Sequence, residues 1–332
     1  MKVLFIGGTG IISTSSSRLA VERGMDLYLL NRGNRLVEIP GAKCLKGDVS
    51  RPDDLASVLA DHSWDCVVNW IAYQPSDIER DLRLFGGRTE QYVFISSASA
   101  YQKPLSHPVI TESTPLANPY WEYSRNKIAC EDLLMGAYRR DGFPVTIVRP
   151  SLTYDETNIP VAIGSWTDYT IVDRMKKGRP VIVHGDGTSL WTITHAEDFA
   201  KGLVGLLGHP QAIGQAFHIT SDELLTWDQI YQAVARAAGV EAKIVHVPSD
   251  LIARFDESQR GNLLGDKAVS VIFDNSKIKR FVPGYQATIP FHEGIRRTLA
   301  WFEAEPSRMR IVEANNAFID RVLSAYERAF AG

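Results

Sequence analysis

Tyr123 and Lys127 are the residues of this sequence whose types and spacing point most directly to chemistry. They lie four positions apart at the start of a predicted helix, so the phenol and the ammonium share one helical face. A phenol with an ordinary pKa of about 10 is a poor base at neutral pH, and a neighbouring cation lowers that value by favouring the phenolate. The pair therefore predicts proton transfer at a bound alcohol or carbonyl, with Tyr123 as the acid or base.

A run of hydroxyl side chains precedes this pair. The segment ISSASAY places Ser96, Ser97 and Ser99 at the end of a predicted strand. Ligands of parallel sheets bind at the carboxyl ends of the strands, so a serine here can hydrogen-bond the oxygen whose proton Tyr123 moves. Taken alone, the run would be a serine-rich loop that closes a strand.

A glycine-rich turn near residue 10 predicts nucleotide binding. The segment GGTGIIS follows a predicted strand and leads into a helix. Glycines let the backbone turn tightly beside a pyrophosphate, whose charge the helix N-terminus stabilises. The residues that we expect at the dinucleotide are Gly7, Thr9, Gly10, Ile11 and Ile12. A simple strand-to-helix turn is the alternative.

The end of the second predicted strand bears on the choice of cofactor. NAD enzymes usually carry an acid there for the ribose 2′-hydroxyl, whereas an arginine accommodates the 2′-phosphate of NADP. Here Asn31, Arg32 and Arg35 occupy this stretch, which contains no carboxylate. NADP is therefore favoured over NAD, chiefly from Arg32, unless the arginines belong to a solvated loop.

These residues need a parallel sheet to bring them together. Short apolar runs alternate with amphipathic ones, which is the pattern of βαβ units. Strands are predicted at residues 2–6, 26–31, 42–47, 65–72, 91–97 and 144–150, and helices at 11–23, 52–62, 76–85 and 123–140. In a sheet wound in this way Asp48 and Val49 lie near the adenine, and Trp70, Ile71 and Ala72 lie near the cofactor ribose.

The pattern loosens after Pro150 into mixed elements. Strands are predicted near 180–184 and 215–220, and helices near 166–177, 196–207, 226–238, 290–303 and 307–329. The fold class is therefore α/β, a doubly wound parallel sheet of the Rossmann type with a smaller, mixed C-terminal lobe. We expect residues 1–155 and 188–222 to form a dinucleotide-binding domain, and residues 156–187 and 223–332 a substrate-binding lobe, with the site in the cleft between them.

The composition excludes several classes of protein. The 332 residues are 45% hydrophobic and 23% charged with a net charge of -3, which is typical of a globular chain and gives no reason to expect a nucleic-acid partner. No apolar run reaches the roughly 18 residues of a membrane span, and MKVLFIGGTG predicts a first strand and not a signal peptide. Three cysteines without a CxxC spacing predict no disulfide framework, no metal site and a reduced, cytoplasmic location.

Five motifs in a fixed order carry a family resemblance. GGTGIIS, ISSASAY, YSRNK, IVRP and HGDGTSLWTITHAEDFA together resemble the extended short-chain dehydrogenase/reductases, specifically the NAD-dependent epimerase/dehydratase family. The resemblance implies that Ser97 is the catalytic hydroxyl, Tyr123 the acid/base and Lys127 its partner, and that Pro150 lies beside the nicotinamide. It also implies a homodimer formed through the Tyr123 helix and the helix near 76–85.

The sequence departs from this family where sugar nucleotides bind. Two arginines usually hold the substrate diphosphate there, and the corresponding positions read Trp191 and Leu264. We therefore expect a sugar or polyol without a diphosphate, stacked on Trp191 or Trp166 unless these rings pack in the core. Ser99 and Tyr154 are assigned to the same substrate site. Ser99 and the residue before it also stand where dehydratases commonly carry an acid and a base, so dehydration is not expected.

The sequence thus predicts an NAD(P)-dependent oxidoreductase of the sugar epimerase type, acting on a secondary alcohol or ketone of a sugar or nucleotide sugar. An NADPH-dependent reductase of a ketone or ketosugar is the first alternative. The second is a non-catalytic RNA- or protein-binding member of the fold, because chloroplast stem-loop-binding proteins share the NRG after the second strand; the intact set of Ser97, Tyr123 and Lys127 argues against it. The expected partners are a small carbohydrate-like substrate and a second copy of the chain, without a membrane.

Overall fold

The structure, a computed structural model, describes residues 1–33, 37–59 and 62–329. Its strands are β1 (Lys2–Ile6), β2 (Asp26–Asn31), β3 (Lys43–Lys46), β4 (Trp64–Asn69), β5 (Thr89–Ile95), β6 (Val109–Ile110), β7 (Val145–Pro150), β8 (Leu152–Tyr154), β9 (Val181–His184), β10 (Leu190–Trp191), β11 (Ile193–His195), β12 (Gln215–Ile219), β13 (Leu225–Thr226), β14 (Ile244–Val247) and β15 (Ile272–Phe273). Its α-helices are α1 (Ile11–Glu22), α2 (Pro52–Leu59), α3 (Pro75–Phe85), α4 (Glu122–Asp141), α5 (Thr170–Lys176), α6 (Ala196–Leu206), α7 (Trp227–Ala237), α8 (Ser249–Phe255), α9 (Ser258–Asn262), α10 (Ser276–Phe281), α11 (Phe291–Glu303) and α12 (Glu313–Arg328).

Seven strands form one parallel sheet in the order β12-β7-β5-β4-β1-β2-β3. Their Val, Ile, Leu and Phe side chains are buried on both faces, as in β1, where residues 3–6 are fully buried. Helices α1 and α6 pack on one face, and α3 and α4 on the other. The predicted α/β fold with a doubly wound parallel sheet is confirmed.

The strand order changes direction beside β1. The chain runs outward from β1 to β2 and β3, and then returns to β4 on the other side of β1. The loops that follow β1 and β4 therefore diverge at the carboxyl edge of the sheet, and ligands of such sheets bind in the crevice between them. This edge is where the sequence predicts the nucleotide and the hydroxyl groups.

A second hydrophobic core lies outside the large sheet. Four small pairs of strands, β8 with β11, β9 with β14, β10 with β13 and β6 with β15, contribute to this part of the molecule. Trp227, Tyr231, Ile295 and Phe302 are buried in its core. The domain boundaries given above stay a prediction. None of the helices in the described ranges is long and apolar enough to cross a membrane.

Two predicted helices begin later than the sequence pattern indicates, because their first residues bond to each other across the fold. Tyr169 N donates to Arg310 O at 2.9 Å, and Val312 N donates to Thr170 Oγ1 at 2.9 Å. The predicted helices at 166–177 and 307–329 therefore start at α5 and α12, after these contacts. The predicted strand at 65–72 ends at Asn69, whose Oδ1 accepts from Ile71 N at 2.9 Å and turns the chain.

Candidate active site

The glycine-rich turn crosses from β1 to α1 in a conformation that favours glycine. Gly7 and Gly8 have φ angles of 100° and 99°, and a Cβ on Gly8 would lie 2.7 Å from Leu29 Cδ2. Gly10 is the N-cap of α1 and offers no side chain to satisfy the first N–H groups of the helix. Thr9 and the first turn of α1 complete the rim. The turn therefore fits an anion such as a dinucleotide pyrophosphate.

The residues after β2 and β3 lie where the adenosine end of a dinucleotide would be in such a fold. Asn31 Oδ1 accepts from Gly33 N at 2.9 Å and tightens the turn after β2. Arg32 is exposed. Hydrogen bonds from Ser50 lower the pKa of the Asp48 carboxyl, and the charge of Arg32 adds to this effect, so the guanidinium lies near Asp48. Arg35, which the sequence assigns to the cofactor, lies outside the described residues.

A buried polar network fixes the loops after β3 and β4. Asn69 Nδ2 donates to the Asp81 carboxylate, which also accepts from Tyr92 OH at 2.5 Å. Arg80 pairs with Asp81 at 2.8 Å and donates to Val49 O at 3.1 Å. The network therefore ties Val49 to the end of β4.

The three residues after β4 present different groups to this edge. The Trp70 ring is buried against Phe5, with centroids 5.5 Å apart, so this position offers its backbone to a ligand. Ile71 is 37% exposed and offers its side chain. Ala72 is fully buried and uses its carbonyl to accept from Lys127.

Lys127 is a buried cation at the centre of the site. Its side chain is almost fully buried, and its Nζ donates to Ala72 O at 2.7 Å and to Ile95 O at 2.8 Å. An ammonium group has three donors, so one N–H remains for a ligand. Burial lowers the pKa of Lys127 to about 8. Nζ lies 5.8 Å from the centroid of the Tyr123 ring, so the structure brings the predicted pair together.

The surroundings of Tyr123 favour the neutral phenol. Burial raises the pKa of Tyr123 above its ordinary range, and a hydrogen bond from Ser97 acts in the opposite direction. This differs from the expectation that Lys127 lowers the pKa of the phenol. The reason is that Lys127 directs two of its N–H groups to backbone carbonyls, while the phenol itself is desolvated. A neutral phenol is suited to donate a proton.

A chain of hydroxyl groups holds Ser97 beside Tyr123. Ser97 Oγ lies 2.8 Å from Ser99 Oγ, which accepts from Ser124 Oγ at 2.7 Å. Ser124 is the residue after Tyr123 on α4, so the chain links the serine run to the helix that carries the phenol. In this arrangement Ser99 positions Ser97 as well as facing the cavity described next.

A cavity of about 250 Å³ opens beside these groups. Its wall includes Ile12, Ser97, Ser99, Tyr123 and Pro150, which come from four separate parts of the sequence. The structure therefore brings the glycine-rich turn, the serine run, α4 and the end of β7 to one place.

Two of the three predicted substrate aromatics reach this cavity. Trp166 and Trp191 line it, although Trp191 also packs in the core on Trp227, with ring centroids 5.6 Å apart. Tyr154 is not among the lining residues. Its ring is held between His195 and Phe291, at centroid distances of 5.2 and 5.6 Å, and it is 1% exposed. The side chain of Tyr154 thus belongs to the core.

A larger hollow of about 470 Å³ lies elsewhere, near α4, β7 and β12. The buried ion pair between Arg149 and Glu131, 2.6 Å apart, forms part of its wall. The hollow is lined by neither Ser97, Tyr123 nor Lys127. The chemistry of the lining residues, and not the size of the cavity, identifies the candidate site.

Sequence reasoning missed three charged residues in the wall of the smaller cavity, namely Lys103, Asp266 and Lys267. They come from the loop after the serine run and from a π-helical turn at Leu263–Lys267. Asn118 joins the two segments by donating to Ser99 O at 2.9 Å and to Gly265 O at 2.7 Å. No motif links positions so far apart, so only the fold reveals them.

Comparisons with known proteins point to one family. Residues 82–220 match the NAD dependent epimerase/dehydratase family. The chain is 25% identical to the 2′-dehydrokanamycin reductase of Streptomyces kanamyceticus, over 86% of this chain and 80% of the relative. It is 28% identical to the chloroplast stem-loop binding protein of 41 kDa b of Arabidopsis thaliana, over 74% of this chain and 65% of the relative.

Solved structures share the fold. The UDP-glucose 4-epimerase from Bifidobacterium longum, solved in complex with NAD+ and UDP, superposes with a TM-score of 0.72 at 18% identity. The match covers 93% of this chain and 100% of the epimerase. At this level of identity the likeness supports the architecture alone.

Proposed function

We propose that this chain, whose residues 82–220 match the NAD dependent epimerase/dehydratase family, is an NAD(P)-dependent enzyme that interconverts a secondary alcohol and a ketone on a small sugar-like substrate. The arrangement around Tyr123 carries the proposal. Ser97 lies close enough to the Tyr123 hydroxyl to offset part of the rise in its pKa, and Lys127 Nζ lies 5.8 Å from the Tyr123 ring centroid with one N–H to spare.

NAD(P), when bound, supplies or accepts a hydride at its nicotinamide ring. The glycine-rich turn and the first turn of α1 fit the pyrophosphate, and the remaining N–H of Lys127 fits a ribose hydroxyl. The residues proposed to hold the cofactor are Gly7, Thr9, Gly10, Ile11, Ile12, Asn31, Arg32, Arg35, Asp48, Val49, Trp70, Ile71, Ala72, Lys127 and Pro150. Arg32 favours NADP.

Ser97, Tyr123 and Lys127 divide the proton transfer among them. Ser97 Oγ holds the substrate oxygen, and the Tyr123 hydroxyl donates its proton to that oxygen during reduction and recovers it during oxidation. The raised pKa of Tyr123 keeps the proton on the phenol at neutral pH, which suits reduction. Lys127 then stabilises the phenolate that remains.

Reduction with release of the product is favoured over epimerisation. An epimerase must turn its ketone over inside the site before hydride returns to the opposite face. Trp166, Trp191 and Phe273 wall the cavity and flank the space in which this turn would take place. The reductase relative also spans most of the chain. Epimerisation, which the sequence predicts first, is the second candidate because the family includes epimerases.

The dinucleotide content of the purified protein separates the two reactions. The protein is denatured, and any released dinucleotide is identified by mass spectrometry and absorbance. A reductase is expected to emerge largely empty and to bind NADPH reversibly. Stoichiometric oxidised dinucleotide carried through purification would favour the epimerase. A protein that binds neither NAD(H) nor NADP(H) would contradict both reactions and favour a non-catalytic binding protein.

A further inference from the structure

Two buried lysines stand in the wall of the cavity that contains Tyr123. Lys103 and Lys267 are 3% and 4% exposed, and both line this cavity. A lysine is rarely buried to this degree without a partner, because moving an ammonium out of water has a large energetic penalty. The presence of both in one small cavity therefore calls for a reason.

The partners of these lysines within the protein are too few. Lys267 Nζ donates to Asn262 Oδ1 at 2.5 Å and lies 3.5 Å from Asp266 Oδ2. In the described part of the chain no hydrogen bond or ion pair reaches the Lys103 ammonium, which senses Asp266 only through space. Burial lowers the pKa of both lysines. Asp266 is the single carboxylate among the lining residues, so the wall holds two lysines for one carboxylate.

A third donor adds to this imbalance. Trp191 lines the same cavity and is 2% exposed, and its indole Nε1 has no hydrogen-bond partner among the described residues. The wall that faces the catalytic groups thus holds more buried donors than acceptors. Buried donors are normally satisfied, so the acceptor that the Lys103 ammonium lacks belongs to whatever fills the cavity.

We propose that the substrate carries an anionic oxygen group, a carboxylate or a phosphate ester, which Lys103 and Lys267 bind while its alcohol or ketone carbon faces Tyr123. This proposal rests on the proposed function, since it names the substrate class of the same site. Trp191 and Leu264 stand at the positions where arginines usually hold a diphosphate. In this proposal Lys103 and Lys267, at other positions, bind the anion in their place. The cavity of about 250 Å³ is smaller than the roughly 300–1,000 Å³ of sites for larger ligands, so the anion sits on the sugar itself and not on a nucleotide.

The segment geometry keeps both lysines near the reacting groups. Lys103 N donates to Ala117 O at 2.8 Å. This hydrogen bond joins the loop that carries Lys103 to the segment that leads into α4. Asn118 then bonds Gly265 O at 2.7 Å, two residues before Lys267. The two lysines and Tyr123 are therefore carried by segments that are hydrogen-bonded to one another.

Binding of four hexose probes tests this proposal. Glucuronate, glucose 6-phosphate, glucose and glucosamine are titrated by calorimetry into the protein saturated with NADPH. We expect at least one of the two acidic probes to bind 10-fold or more tightly than glucose and glucosamine. Lys103→Gln should remove this preference, and Lys243→Gln, which changes an exposed lysine, should retain it. Comparing glucuronate with glucose 6-phosphate distinguishes a carboxylate from a phosphate ester.

Three results would overturn the proposal: equal binding of acidic and neutral probes, no binding of either acidic probe, or an unchanged preference in Lys103→Gln. Lys267→Gln provides a second variant, and its melting temperature shows whether loss of the Asn262 contact has unfolded the site. Failure of the proposed function is recognised separately, because it appears as failure to bind NADPH before any hexose is added.

Discussion

The two sides of the cavity hold their ligands by different means. On the nucleotide side the backbone supplies the groups, through the positive φ angles of Gly7 and Gly8 and the start of α1. On the substrate side the side chains of Lys103 and Lys267 supply them, from segments more than a hundred residues apart in sequence. The cofactor site is therefore encoded mainly by neighbouring residues of the sequence. The substrate site, in contrast, forms only when short elements that are distant in the sequence pack together.

The largest expected effect lies where the two sides meet, at Tyr123. Tyr123→Phe removes the proton donor, so kcat/KM for ketone reduction should fall about 10³-fold or more, in line with the roughly 10²–10⁴-fold effect of a general acid. Steady-state NADPH oxidation with an active ketosugar measures this loss. NADPH affinity should change by no more than a few fold, because the glycine-rich turn is untouched.

Tyr120→Phe is the matched control for this change. Tyr120 lies just before α4 and is 38% exposed, and its hydroxyl is not part of the proposed mechanism. Its loss should leave turnover unchanged. Turnover of Tyr123→Phe at the rate of the Tyr120→Phe protein would remove Tyr123 from the mechanism.

On the nucleotide side, Gly8→Ala should raise the Kd for the dinucleotide by about 10²-fold. The added Cβ meets Leu29 at 2.7 Å in a backbone conformation that alanine adopts at a penalty of about 1–2 kcal/mol. Fluorescence titration with NADPH measures the affinity. Gly87→Ala is the control, because Gly87 has a φ of 69° but open space around it. It should lower stability by about 1 kcal/mol without weakening NADPH binding; equal loss of affinity in both variants would refute a specific role of the turn.

Arg32 tests whether a side chain also contributes on the nucleotide side. Arg32→Ala removes a charge-assisted contact to the 2′-phosphate, of about 1.5–3 kcal/mol, and should weaken NADPH binding about 10-fold or more. NADH affinity should stay the same. The ratio of the two dissociation constants checks this expectation. An unchanged ratio would place the arginine in solvent and make NAD an equal choice.

Lys127 predicts a pH dependence of cofactor binding. The lysine is an ammonium below its lowered pKa of about 8 and loses its proton as the pH rises through that value. NADPH affinity should therefore be constant from pH 6 to 7 and weaken several fold above about pH 8. Lys127→Met should bind weakly at all of these pH values. A wild-type affinity that is flat up to pH 10 would exclude the ammonium as a ribose ligand.

Lys103 provides the smallest expected effect and the sharpest contrast between the two sides. Burial lowers its pKa, so the charged form destabilises the fold, and this penalty sets in as the pH falls below the ordinary lysine pKa and is therefore felt at neutral pH. Lys103→Met should raise the melting temperature of the ligand-free protein by about 1–3 °C while weakening substrate binding. Lys243→Met, at an exposed site, should leave the melting temperature unchanged. A lower melting temperature for Lys103→Met would indicate a structural lysine.

The same contrast between local and distant segments determines how much of the structure can be predicted from the sequence. The strands and helices of the nucleotide side appear within a few residues of their predicted ends, because apolar runs, glycines and helix starts are local signals. Tyr123 and Lys127 share a face because helical spacing dictates it. The sequence assigned Tyr154 to the substrate, but its ring packs on His195 and Phe291, and nothing local distinguishes the two outcomes. Lys103 and Lys267 went unnoticed because their cavity wall is formed by short elements without periodic patterns.

A crystal structure with NADP(H) bound tests the central claim most directly. We expect the pyrophosphate against the backbone from Gly7 to Ile12, the nicotinamide ribose hydrogen-bonded to Lys127 Nζ, and the nicotinamide ring beside the Tyr123 hydroxyl. A dinucleotide bound elsewhere, or one whose nicotinamide half lies away from Lys127 and Tyr123, would contradict the proposed site and the reaction derived from it.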